Sequence, residues 1–201
     1  AFKGIKLGVM ICEDMWNGDV TECLDESGAE ILIVLNGSPF EVDKTDQRLN
    51  LAVARVSESG LPLVYVNLVG GQDELVFDGG SFVLGADRQL PIQLPGFAKG
   101  QVTSNWSKSD QGWVCAPGEI AETPDDNEKM LASIYQAMVL GLRDYVNKNR
   151  FPGVILGLSG GIDSGLSAAV AVDAIGADKV HCVMMPSPYT SQESLDDAVE
   201  I

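Results

Sequence analysis

Two short stretches carry residue types whose spacing could do chemistry. "GVMICEDMW" (8–16) sets Cys12 directly after an apolar run of strand length. "LGLSGGIDSG" (156–165) sets two adjacent glycines, two serines and an aspartate between Val154-Ile155-Leu156 and the small-residue run Ala168-Ala169-Val170-Ala171. A cysteine attacks as its thiolate. Burial and negative neighbours disfavour that form, so an activating base or cation must come from elsewhere. On residue type alone Cys12 therefore reads first as a packed core residue. The second stretch sits where a strand must turn into a helix. There the first backbone N–H groups of the helix are unpaired and the helix dipole is positive, which suits an anion. Glycines let the backbone approach such an anion and adopt positive φ, and Ser159 and Ser164 add hydroxyls. No lysine is present, so this is not the G-x-x-x-x-G-K-[ST] loop, and the G-x-G-x-x-G spacing is missing too. Asp163 suits a phosphate only through a bridging cation, or as an organiser of the loop. The plain alternative is a glycine-rich strand–helix turn.

The surrounding pattern supplies elements to position both stretches. Residues 5–12 and 30–35 read as buried strands, with a short helix over about 19–27 and a Gly28 stop between them. "DQRLNLAVARVSESG" carries Leu49, Val53 and Val56 at helical spacing, with Gly60 as terminator. "LPLVYVNLVG" is a third strand. "DELVFDGGSFVLGADRQL" and "GQVTSNWS" read as hairpin strands turning at Gly79-Gly80 and Gly85-Ala86-Asp87. Strand and helix thus alternate before short strands close the first part, as in a layered α-β-β-α arrangement. The polar stretch 111–127, with Pro117, Gly118 and Pro124, reads as a linker. Beyond it, Leu131, Ile134, Tyr135, Met138, Leu142, Tyr145 and Val146 mark an amphipathic helix over 128–146, opened by a capping box of Asp125 and Glu128. "GVILGL", a helix over 164–175 and "KVHCVMMP" then give strand–helix–strand, the start of a parallel sheet. Thr190 is the expected N-cap of a further helix, with Glu193 three residues on.

Composition narrows the classes. The 13 basic and 29 acidic residues give a formal charge of −16, which argues against a nucleic-acid surface. Cys12, Cys23, Cys115 and Cys182 form no C-x-x-C pair and His181 is the single histidine, so a zinc site is not expected. Cys23 and Cys182 read as small buried hydrophobes, His181 as a partly buried structural residue, and the compartment as reducing and cytoplasmic. No run reaches the ~18–20 apolar residues of a membrane span. The chain opens without Met almost inside a strand and stops at Glu200-Ile201 within a helical pattern, so both ends are expected to be cut.

Ser159-Gly160-Gly161-Ile162-Asp163-Ser164 resembles the S-G-G-x-D-S pyrophosphate loop of the ATP pyrophosphatases, which adenylate a carboxylate or carbonyl oxygen. "GVMICEDMW", followed by "LNGSPF", an arginine-bearing helix and "NLVGGQDELVFDGGSF", resembles the nucleophile segment of the nitrilase/amidase superfamily. Both in one chain, with "YQAMVLGLRDYV" and "VMMPSPYTSQESLDDA", resemble the glutamine-dependent NAD synthetases. The resemblance implies an α/β chain: the back part of a nitrilase-like α-β-β-α sandwich (1–110), the linker 111–127, and the start of a doubly wound parallel-sheet ATP-pyrophosphatase domain (128–201). It implies Cys12 as nucleophile, the Glu13 backbone N–H as oxyanion donor, and Ser38 and Lys44 as glutamine contacts. An ordinary solvated loop lysine is the alternative for Lys44. Asp73-Glu74 and Phe77-Asp78-Gly79 are expected to shape the pocket wall and a subunit contact. Gly157, Leu158, Ser159, Gly160, Gly161, Ile162, Asp163 and Ser164 would bind ATP, through bare main-chain amides around Gly160-Gly161, with Asp163 on Mg²⁺. Ser187, Tyr189 and Ser191 are weaker nucleotide candidates. The implied substrates are glutamine, ATP and deamido-NAD, and a homo-oligomer is implied. The family's catalytic glutamate and lysine precede the cysteine, and only eleven residues do so here. The isolated chain is therefore expected to hydrolyse glutamine slowly or not at all. The rival readings are another ATP-pyrophosphatase-type amidotransferase, such as a GMP or asparagine synthetase, and an inactive structural fragment.

Overall fold

A computed structural model describes residues 1–121 and 126–201, without the side chains of 126–128, so the capping box of Asp125 and Glu128 lies outside the described residues. The chain forms two compact units, Ala1–Gly70 with Phe77–Met130, and Gly71–Val76 with Leu131–Ile201.

The first unit begins with β1 (Leu7–Ile11), a 3-10 turn over Cys12–Met15 and α1 (Gly18–Glu26). β2 (Ile31–Asn36), α2 (Lys44–Ser59) and β3 (Leu63–Asn67) follow. Each strand returns through a helix, so β1, β2 and β3 run parallel. α2 stops at Gly60, whose φ of 67° lets its N–H reach back to the Val56 carbonyl at 2.8 Å. β4 (Val69–Gln72) pairs with β5 (Leu75–Asp78). β6 (Phe82–Leu84) and β7 (Ile92–Gln93) extend the sheet in antiparallel fashion to the order β1-β2-β3-β6-β7. β8 (Trp106–Ser109) and β9 (Gly112–Cys115) form a separate hairpin.

Alternation along the strands divides the sheet into two faces. Met10, Val34 and Tyr65 share one register row and bury against Met15, Ala52 and Val56. On the other face Val83 and Ile92 pack with Cys115 and Trp106, whereas Val9, Ile11, Leu35 and Val66 are exposed. Cys23 corrects the expectation of a buried thiol: it is exposed, because α1 turns Val20, Thr21 and Leu24 inward instead.

The second unit contains α3 (Asp126–Lys148, from Leu131 on), β10 (Val154–Gly157), α4 (Ile162–Ile175), β11 (Val180–Val183) and α5 (Gln192–Glu200). β10 and β11 pair in parallel across the α4 crossover. Val139 of α3 packs on Val170 and Ala174 of α4, flanked by Tyr135 and Leu142. Residues 71–76 lie against α3, where the Gly71 N–H donates to Asp144 Oδ2 at 2.9 Å. A Cβ on Gly71 would sit 3.1 Å from the Gly141 Cα, so bare backbone permits this approach. The predicted helix face is in part corrected. Leu131, Met138 and Tyr145, one row at seven-residue spacing, are exposed, because Tyr135, Val139 and Leu142 make the contact with α4. Among the described residues the β10-β11 sheet has two strands, both edges, and on β11 His181, expected partly buried, and Cys182, expected buried, are exposed. The N-cap of α5 is Ser191, which accepts from the Ser194 N–H; Thr190 instead accepts the Ser187 N–H at 2.9 Å and closes the preceding turn.

Among the described residues no helix is long and apolar enough to cross a membrane, and all four cysteines are free.

Candidate functional site

The first site lies at the carboxyl ends of β1, β2 and β3, the edge where parallel sheets present groups to ligands. Cys12 follows β1 directly, half-buried with φ of +50°, a left-handed conformation that costs a residue with a side chain about 1–3 kcal/mol. The turn that follows is fixed from several sides. Asp14 accepts the Ile11 N–H at 2.8 Å, the Met15 carbonyl accepts from Arg55 Nη1 at 3.4 Å, and Met15 itself is buried. Glu13 sits in the first turn of this 3-10 segment, where a backbone N–H has no carbonyl behind it to bond. A left-handed cysteine followed by a helix-start amide has the geometry to attack a carbonyl and hold the resulting oxyanion.

Ser38 lies in the irregular segment after β2, and its backbone and hydroxyl are held by side chains. Its N–H donates to Asn67 Oδ1 at 3.0 Å, and Asn67 Nδ2 returns a bond to the Ser38 carbonyl at 3.3 Å. Arg48, buried on α2, donates Nε to Ser38 Oγ at 3.1 Å and Nη2 to the Ser38 and Pro39 carbonyls at 2.9 Å each. Its Nη1 pairs with the buried Asp78 carboxylate at 2.8 Å. Asp78 Oδ1 is buried with no hydrogen-bond partner among the described residues. Tyr65 completes the floor, buried and stacked on Phe82 with ring centroids 4.8 Å apart. Burial pushes the Tyr65 hydroxyl up to about 12, so it stays protonated at neutral pH. Lys44 opens α2 with its ammonium on Glu41 Oε1 at 3.1 Å.

Arg48, Asn67 and Tyr65 join Ser38 here with no local motif to mark them, and Asp78, expected in the pocket wall, is the partner of a buried charge. A signal was there: Arg48 and Arg55 are seven residues apart on the same face as Ala52 and Val56, where solvated arginines do not belong.

The second site is the turn from β10 into α4. Leu158 is buried and its N–H continues the pairing onto the Val183 carbonyl at 3.0 Å. Gly160 has φ of +80°, and a Cβ there would fall 2.1 Å from the Ser194 carbonyl oxygen. The two serines bind the loop to itself. The Ser159 N–H donates to Ser164 Oγ at 3.2 Å, the Gly161 N–H to Ser159 Oγ at 3.3 Å, and Ser164 Oγ to the Gly161 carbonyl at 2.8 Å. Two of the amides expected to be bare are therefore engaged by hydroxyls. Those of Ile162, Asp163 and Ser164 open α4, where no intrahelical acceptor exists. Gly157 and Asp163 are exposed, and so is Ile162. Among the described residues no three His, Cys, Asp or Glu side chains cluster to hold a metal. Asp163 offers a single carboxylate, which fits Mg²⁺ only in the mode where substrate phosphates supply further oxygens.

Comparison with known proteins follows this division. The carbon-nitrogen hydrolase family model matches residues 1–107 and the NAD synthase model matches 134–201. A glutamine-dependent NAD(+) synthetase of Rhodobacter capsulatus is 51% identical over 197 residues, 98% of this chain and 35% of that protein. One from Acinetobacter baylyi is 44% identical over 99% of this chain and 36% of its own length. The chain thus spans about a third of the curated relatives it matches. Among solved structures, the glutamine-dependent NAD+ synthetase of Acinetobacter baumannii in complex with ADP superposes with a TM-score of 0.90 at 43% identity, over all of this chain and 37% of that one. That of Cytophaga hutchinsonii, 20% identical with a TM-score of 0.69 over 99% of this chain and 37% of its own, shares the fold. The α/β class expected from the sequence, nitrilase-like and then NAD-synthase-like, is the one observed. By the match over 1–107 the chain belongs to the carbon-nitrogen hydrolase family, joined here to an NAD synthase segment.

Proposed function

We propose that this chain is part of a glutamine-hydrolysing NAD synthetase, in which residues 1–110 release ammonia and residues 128–201, beyond a linker at 111–127, use it. One observation carries the reading. The left-handed Cys12 turn and the Ser159–Ser164 helix-start loop occur in one chain, collinear with glutamine-dependent NAD synthetases over 98% of its length.

Cys12 attacks the glutamine side-chain amide, and ammonia leaves as a thioester forms. Water then cleaves the thioester to glutamate and restores the thiol. The Glu13 N–H stabilises the oxyanion in both steps. Ser38 and Lys44 contact the glutamine. Lys44 offers its ammonium to the α-carboxylate beside Glu41, and Ser38 offers its hydroxyl from the floor of the site. At the second site the nicotinate carboxylate of deamido-NAD attacks the ATP α-phosphorus, pyrophosphate leaves, and ammonia then displaces AMP to give the amide. The helix-start amides of Ile162, Asp163 and Ser164, within the loop from Gly157 through Ser164, face the polyphosphate. Asp163, together with phosphate oxygens of the substrate, would hold Mg²⁺, which would supply neutralisation of the departing charge. Passing ammonia internally keeps it unprotonated and spares the adenylate from water. Free cysteines fit a reducing, cytoplasmic setting, the net charge of −16 suits small-molecule rather than nucleic-acid partners, and a homo-oligomer is carried over from the resemblance.

The test is the full-length protein with Cys12→Ala. Glutamine-dependent NAD formation is lost and ammonia-dependent formation persists. A variant that still uses glutamine refutes the assignment.

A further inference from the structure

We infer that Arg48 is a positioning residue for glutamine binding, acting through Ser38; the inference rests on the glutaminase reading above. The segment 37–41 has no strand or helix pairing of its own, so side chains decide where Ser38 stands. Arg48 spends its donors there: Nε on the Ser38 hydroxyl, and Nη2 on the Ser38 and Pro39 carbonyls. A hydroxyl has one proton to donate and two lone-pair sites. With Nε–H filling one site at 3.1 Å, the Ser38 proton is directed away from the guanidinium, free for an incoming carboxylate. Asp78 holds the other edge of the fork at 2.8 Å, and so fixes the plane in which Nε and Nη2 point.

An ion pair with both side chains more than nine-tenths buried is a poor way to gain stability alone, since desolvating two charges offsets most of their attraction. Its geometric yield is specificity of placement. Lysine cannot replace it: a single ammonium reaches Asp78 or the Ser38 carbonyl, but has no planar fork to hold all four acceptors at once.

The experiment compares Arg48→Lys, Ser38→Ala and the double variant in the full-length protein. Arg48→Lys raises KM for glutamine about tenfold, with ammonia-dependent NAD formation unchanged. The double variant shows the KM of Ser38→Ala alone, because the arginine acts through the hydroxyl it orients. An unchanged KM in Arg48→Lys, or effects that multiply in the double variant, overturns the inference; a merely stabilising arginine gives one of those results. Should the wild type release no ammonia from glutamine, the glutaminase reading itself fails. The Ser38 amide resonance then decides the positioning: it shifts in Arg48→Lys if the guanidinium holds Ser38, and an unshifted resonance overturns the inference.

Discussion

Asp78→Asn tests the buried pair directly. The substitution keeps an oxygen facing Arg48 Nη1 and removes the charge, at nearly constant volume. At 2.8 Å, with an effective dielectric of about 20, the Coulomb attraction is roughly 6 kcal/mol, part of which desolvation cancels. What remains matters because the guanidinium stays buried without a counter-charge, a situation that costs about 3–5 kcal/mol. Domain stabilities are about 5–15 kcal/mol, so the loss is large but compatible with a folded unit. Urea unfolding of the 201-residue chain, followed by tryptophan fluorescence, reads its first unit, since Trp16, Trp106 and Trp113 all belong to it. With a slope of about 1.5–2 kcal/mol per molar, the midpoint falls by about 2 M. A midpoint within about 0.5 M of wild type, at an unchanged slope, refutes the claim that Asp78 compensates a buried charge.

Three further outcomes follow from the geometry. Gly160→Ala drives a Cβ to 2.1 Å from the Ser194 carbonyl at a φ of +80°; ATP binding measured by calorimetry is lost while the tryptophan-monitored transition stays in place. Cys12→Gly relieves the left-handed backbone that Cys12→Ala retains, so the glycine variant unfolds at higher urea, by about 1 kcal/mol, and equal midpoints contradict the strain. The Glu30 carboxyl is held down to about 2, first by Lys108 and then by Trp113 and the Lys6 N–H, against an ordinary 4.5. Its folded value is the lower one, so this stabilisation is complete above pH 4.5 and fades as pH falls toward 2. Trp113 emission tracks that fading in wild type, and Glu30→Gln removes the pH dependence.

The alternation of strand and helix was readable because each element carries its own period and stop: Gly60 and Gly28 take the positive φ that ends α2 and α1. What could not be read were partnerships. Leu131, Met138 and Tyr145 have a helical spacing as good as that of Tyr135, Val139 and Leu142, and only the position of α4 chooses between them. Cys12 and the Ser159–Ser164 loop were visible as local strings. Arg48, Asp78, Asn67 and Tyr65 come together from separate elements, and no spacing in one chain announces a cluster built across α2, β3 and β5. Thr190 and Ser191 are equivalent as cap residues by type; their backbone turn decides which one serves.

Under the proposed function, nitrogen freed at Cys12 is consumed beyond the Ser159–Ser164 loop of the same protein. Supplying the full-length protein with glutamine labelled with ¹⁵N in its side-chain amide, together with ATP, deamido-NAD and an excess of unlabelled ammonium, measures it. The expected NAD amide carries chiefly ¹⁵N, and Cys12→Ala yields only unlabelled NAD. Label diluted to the level of the bulk ammonium pool, or unchanged labelling in the variant, contradicts it.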